Sequence, residues 1–120
     1  MSYAPVIQIL ASAAQAASGS STSSTISDSG GGFGFGTLSL EVDLTAFTGG
    51  TSPTVTIAVQ WSHLGTSWAS ASPVDSFTAI SAAGSVVQQF KVKGTFARVT
   101  WTSTGTPTSI TFGVTGYLSV

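Results

Sequence analysis

The chain has no cysteine and very little charge: three Lys or Arg and four Asp or Glu in 120 residues, 6% of the sequence where about 25% is ordinary. Without thiols there is no disulfide scaffold, no Cys-ligated zinc or iron–sulfur cluster, and no thiol nucleophile. Net charge is -1 and the first cation is Lys91, so the clustered basic residues that nucleic acid or an anionic lipid surface requires are missing. Apolar residues come in short runs, and none approaches the roughly 18 unbroken positions of a membrane-spanning helix. Disorder is excluded from the other side, because 42% of the residues are hydrophobic and the net charge is close to zero. The length fits one domain with a modest core.

What the sequence does have is Ser and Thr, roughly a third of the chain, and a period of two. Leu38, Leu40, Val42, Leu44 and Ala46 alternate with Thr37, Ser39, Glu41, Asp43 and Thr45, and Val55, Ile57, Val59 and Trp61 repeat the pattern. Such alternation gives a strand with one apolar and one wet face. Further strands are predicted at about residues 77–80, 86–93, 96–102 and 110–118, separated by Gly, Ser and Pro turn clusters. The fold class expected is all-β: an antiparallel β-sandwich, jelly-roll or Ig-like, of about seven to eight strands with an extended N-terminal arm. A surface of Ser and Thr with few charges gives copies little mutual repulsion, which points to a homo-oligomer or larger assembly as the working state.

Two local readings go further. If Lys93 and Gly94 form a two-residue turn, Val92 pairs with Thr95, Phe90 with Ala97, Gln88 with Val99 and Val86 with Trp101, and all three cations, Lys91, Lys93 and Arg98, fall on one hairpin. Gly50-Thr51-Ser52-Pro53-Thr54-Val55-Thr56-Ile57 also resembles Gly105-Thr106-Pro107-Thr108-Ser109-Ile110-Thr111-Phe112, each following an alternating strand. Common turn chemistry and duplication account for that repeat equally well.

Residues 1–36 form a separate arm, Ala-, Ser- and Gly-rich, ahead of a sandwich domain at 37–120. A signal peptide is not expected, since the segment lacks a basic start and carries Pro5. Val6, Ile7, Ile9 and Leu10, with Phe33 and Phe35 in the glycine run, are the candidate docking residues of the arm, against a neighbouring subunit or the domain's own edge. That glycine run fits neither the dinucleotide nor the phosphate-loop spacing.

Reactive constellations are sparse. His63 is the sole histidine, with Ser62 before it and Asp75 twelve positions on, and a lone His beside a turn lacks the context of a nucleophile triad. Glu41 and Asp43 point the same way from one strand, a solvated face in preference to a calcium site or an acid–base pair. Trp61 and Trp101 occupy core phases; Trp68 follows a turn, where it either clasps back over Trp61 or offers a stacking platform for a sugar ring. Lys91, Lys93 and Arg98 are the candidate polar contact with a partner. No catalytic residue, metal or cofactor is expected.

Several stretches together resemble small virion structural proteins of tailed bacteriophages: Ile9-Leu10-Ala11-Ser12-Ala13-Ala14, Leu40 to Ala46, Gly50 to Ile57, Val59-Gln60-Trp61-Ser62 with Gly65 and Trp68, Phe77 and Ile80 before Ala82-Ala83-Gly84, Ala97 to Trp101, and Phe112-Gly113-Val114. The likeness spans most of the chain and rests on turn-and-strand patterns. Similar proteins often carry an acidic residue before the turn glycine; here Leu64 stands there, which argues against metal binding at that turn. The resemblance implies a non-enzymatic β-sandwich subunit of a phage virion, assembled in the host cytoplasm. Its partners would be the major capsid or tail protein, with capsid decoration or minor capsid protein as the leading role. A tail, neck or fibre subunit and a carbohydrate-binding module are the alternatives.

Overall fold

In a computed structural model the alternating segments become strands in two antiparallel sheets; residues 6–21, 24–25 and 36–119 are described. In chain order these are β1 (Val6–Gln15), β2 (Gly19–Ser20), β3 (Ser24–Thr25), β4 (Thr37–Thr48), β5 (Thr54–Ser62), β6 (Ala69–Ser76), β7 (Gly84–Lys91), β8 (Phe96–Thr104) and β9 (Ser109–Ser119). One sheet, A, has the order β1-β9-β4-β7, and the other, B, the order β2-β8-β5-β6. β3 also pairs with β8, so β2 and β3 are two pieces of one interrupted edge strand. The result is a sandwich of two four-stranded sheets. Among the described strands only β5 and β6 are sequence neighbours joined as a hairpin within a sheet; the other steps pass from one sheet to its facing partner. This is jelly-roll order, which decides between the two sandwich types expected.

The core lies where the alternation puts it. Leu38, Leu40, Val42 and Leu44 of β4, with Ile110, Phe112 and Val114 of β9, face Val55, Ile57, Val59 and Trp61 of β5 and Ala97, Val99 and Trp101 of β8. Trp101 meets Phe112 edge-on across the sandwich at 5.2 Å between ring centroids, and Phe77 meets Phe90 in the same way at 5.6 Å. Each such side chain contributes roughly 1.5–3 kcal/mol by leaving water. The indole N–H of Trp101 is not wasted: Nε1 donates to the Ala16 carbonyl, 3.0 Å away, in the turn leaving β1. Gly19 passes so close over that ring that a Cβ would stand 2.8 Å from it.

Three expectations are corrected. Residues 86–93 and 96–102 do not form a hairpin: β7 pairs with β4 and β8 pairs with β5, in opposite sheets. Phe90 and Ala97 both face the core, but from facing sheets; alternation reports a face, and the same pattern serves a neighbour in the sheet or one across the core. Gly94 makes no two-residue turn; it lies where a Cβ would be 2.9 Å from the Ser62 carbonyl. The segment 77–80 is an irregular edge, with Phe77 N bonded to Ile57 O and Ile80 bridged to Val55, while the strand is β6 just before it.

The arm is corrected as well. β1 is the edge strand of sheet A, paired with β9 from Val6↔Tyr117 to Gln15↔Ile110, and Ile9 is buried in the core. Hence no boundary at residue 36 separates an arm from the sandwich: β1, β2 and β3 are parts of it. Phe33 and Phe35 lie outside the described residues.

The two similar segments meet in space. Loop 49–53 after β4 and loop 105–108 after β8 lie side by side, with Thr51 N bonded to Gly105 O at 2.9 Å and Thr108 N to Thr48 O at 2.7 Å. A Cβ on Gly50 would stand 2.6 Å from Gly105 O, and both glycines have positive φ, +81° and +80°.

Candidate functional site

Two places on the molecule gather functional side chains. The first is the end of sheet B where β5 runs into the loop at 63–68. Ser62 sets that loop: its Oγ accepts the amide hydrogens of Leu64 (3.2 Å) and Gly65 (2.7 Å), so the chain turns back at once towards β6. The turn leaves an open cavity of about 240 Å³ lined by Trp61, His63, Ser67, Ser70, Ala71 and Lys93 among others. At its side Asp75 Oδ2 accepts from both the Trp61 indole Nε1 and Lys93 Nζ, each at 2.9 Å. Lys93 also donates to the Lys91 carbonyl at 3.0 Å and lies 5.6 Å from the centre of the Trp61 ring.

This grouping differs from a nucleophile triad in each of its bonds. Ser62 Oγ is engaged by turn amides and Asp75 by an indole and an ammonium, while exposed His63 lines the cavity beside them. Chemically it is a pin. A carboxylate satisfies the N–H of a nearly buried Trp and neutralises the Lys that the β7–β8 connection brings over. Among the described residues no three His, Cys, Asp or Glu side chains come close enough to hold a metal.

Of the remaining polar candidates Arg98 is likewise engaged within the chain. Arg98 Nε donates to Gln60 Oε1 at 2.9 Å, and its guanidinium lies 4.7 Å from the centre of the Trp68 ring. Trp68 is half-buried and covers the outer side of sheet B above Arg98, so the expected clasp over Trp61 is replaced by one over Arg98. Lys91 ends β7 opposite Thr37, well apart from Arg98 in the other sheet. The expected grouping of three cations on one hairpin is therefore not present.

The second place is the outer face of sheet A. Reading across the four strands, Val6, Tyr117, Ser39 and Gln89 form one row, and Gln8, Thr115, Glu41 and Val87 form the next. A third row carries Gly113, Asp43 and Ser85, with the Ser85 hydroxyl donating to Asp43. Gly113 is buried beneath a bulge of β1: a Cβ there would stand 3.0 Å from Ser12. Val6, Val87 and Tyr117 are 73%, 61% and 49% exposed on a face otherwise made of hydroxyls and amides with three charges, Glu41, Asp43 and Lys91. Val6 adjoins Tyr117, and Val87 stands on the opposite edge strand.

Of the candidate arm residues that are described, only Val6 belongs to this face. Ile9 is in the core, and Ile7 and Leu10 pack against it. Tyr117 and Val87 were not singled out from the sequence. The signal was available in the strand phase: Tyr117 is the large residue in the polar phase of β9, and Val87 breaks alternation directly after Val86. No family model matches the chain, and no curated protein matches it either.

Proposed function

We propose that the protein is a non-enzymatic structural subunit of a tailed-phage particle, a capsid decoration or minor capsid protein seated through the outer face of sheet A. The observation that carries this reading is that face: Val6, Tyr117 and Val87 stand exposed among Ser39, Thr115, Gln8 and Gln89 on a broad, regular sheet. Docking there desolvates few charges, Glu41 and Asp43 on β4 and Lys91 on β7, and none is on β1 or β9, which carry Val6 and Tyr117. A jelly roll hosts many functions, so the fold supports the reading only as a suitable rigid block. The sugar-binding alternative has less support, because Arg98 already occupies one face of the Trp68 ring.

The test is incorporation into particles of the virus that encodes the chain. Removing residues 1–36 would not be diagnostic, since it deletes β1 and the buried Ile9 and so damages the sandwich itself. Point variants separate the possibilities: Tyr117→Asp and Val6→Asp are expected to lose particle binding with the fold intact, and Thr102→Asp on sheet B to bind normally. The reading fails if the Tyr117 and Val6 variants incorporate as the parent does, or if the chain sediments only with free protein.

A further inference from the structure

Four strands edge this sandwich, and three of them are spoiled for pairing. β1 has two register shifts, between Gln8 and Leu10 and between Leu10 and Ala13. The β2/β3 edge is broken into two-residue pieces. β6 contains Pro73, which lacks an N–H, and its pairing with β5 jumps from Asp75 to Ser70. Bulges, interruptions and proline are the devices that keep sheet edges from recruiting other chains. β7 has none of them. It pairs with β4 without a shift from Thr37↔Lys91 to Leu44↔Gly84, and no charge interrupts it from Gly84 to Phe90. Val87 is exposed on its outer side, and Val86, which faces inward opposite Val42, is still 37% exposed at the open border of the core.

We infer that β7 pairs antiparallel with β7 of a second copy of this chain, making one eight-stranded sheet across a two-fold axis at Gln88. The self-complementarity of the strand selects that partner and register. Keeping core face against core face, centring on Gln88 sets Val86 opposite Phe90 of the second copy, Val87 opposite Gln89, and Ser85 opposite Lys91. The half-exposed Val86 is thereby covered by an aromatic ring. Charge is matched at both ends. Ser85 is hydrogen-bonded to Asp43 on the neighbouring strand, so Lys91 of the second copy arrives two strand spacings from Asp43, about 10 Å between Cα atoms and within the combined reach of the two side chains. The two-fold repeats that contact, giving two ion pairs for one interface. Within a single copy Asp43 and Lys91 lie at opposite ends of the β4–β7 ladder and do not meet. Such isologous strand addition closes on itself and stops at a dimer. It goes beyond the seating on a particle and concerns the free protein.

Sedimentation equilibrium of the full chain from micromolar to millimolar concentration tests this, with Lys91→Asp, Asp43→Lys, the double charge swap and Val87→Lys. All four changes are at exposed positions, and circular dichroism checks that each variant folds. The expected result is a reversible dimer weakened about ten-fold or more by either single charge reversal and by Val87→Lys, and restored to within a few-fold of the parent by the double swap. A chain that stays monomeric throughout, a dimer indifferent to Val87→Lys, or a double swap no tighter than the single reversals would each overturn the proposal. Incorporation into particles by a strictly monomeric chain would leave the proposed function standing while removing this one.

Discussion

The most consequential single residues are those that satisfy a buried polar atom. Among the described residues Asp75 is the acceptor of the Trp61 N–H, and Trp61 is 5% exposed, so removing the carboxylate leaves a nearly buried donor unsatisfied. Asp75→Ala is expected to destabilise the fold by about 1–3 kcal/mol in urea denaturation, with the unsatisfied indole outweighing the loss of the partly exposed Lys93 pair. Lys93→Met, which removes the ion pair and the exposed contact with the Lys91 carbonyl but leaves the indole its acceptor, should cost well under that. At the paired loops the sign of an effect follows from φ. Thr106 is β-branched and has φ +52°, a left-handed conformation that such residues seldom adopt. Thr106→Asn is therefore expected to raise stability by roughly 0.5–1 kcal/mol, whereas Gly105→Ala, beside the Thr51 carbonyl, is expected to lower it by about 1–3 kcal/mol. Thermal melts of the two variants moving in the same direction would contradict this account of the loops.

At the level of elements, β4, β5 and β9 were legible in the sequence because each buries one face along most of its length, and alternation is the direct image of that burial. β6 was illegible for the converse reason. As a border strand its residues Ala69–Ser76 are largely exposed on both sides, so no apolar rhythm marks them and Pro73 argues against a strand. The misassigned hairpin shows a different limit: Phe90 and Ala97 have the right phase, yet the phase says nothing of whether the next strand lies beside or across. β1 reads as an arm because residues 1–36 are rich in Ala, Ser and Gly; Ala11 to Ala14 do pack little, and among the described docking candidates Ile9 is the one buried in the core. Deleting residues 1–15 is expected to remove the cover from β9 and the core around Ile9, and hydrogen exchange should show the amides of β9 losing protection first. Unchanged protection of β9 in the deletion would mean that β1 is a separable arm after all. The candidate face was half legible: Val6 was named from sequence, whereas Tyr117 and Val87 acquire meaning only when the order β1-β9-β4-β7 aligns them.

For the whole molecule, the scarcity of charge has a structural counterpart. Lys93 is paired with Asp75, Arg98 is held between Gln60 and Trp68, and Asp43 is tied to Ser85, so four of the few charged groups serve the chain's own geometry. Sheet A turns outward a hydroxyl-rich surface whose charges, Glu41, Asp43 and Lys91, are confined to β4 and β7, with Val6 and Tyr117 on the uncharged strands β1 and β9, suited to close contact with a flat protein partner. The most direct test of that claim is the orientation of the sandwich in electron cryo-microscopy of particles carrying it. The expected density places the Val6–Tyr117 side of sheet A against the particle and leaves the Thr102 side of sheet B to solvent; the reverse orientation, or particles bare of the chain, would contradict it.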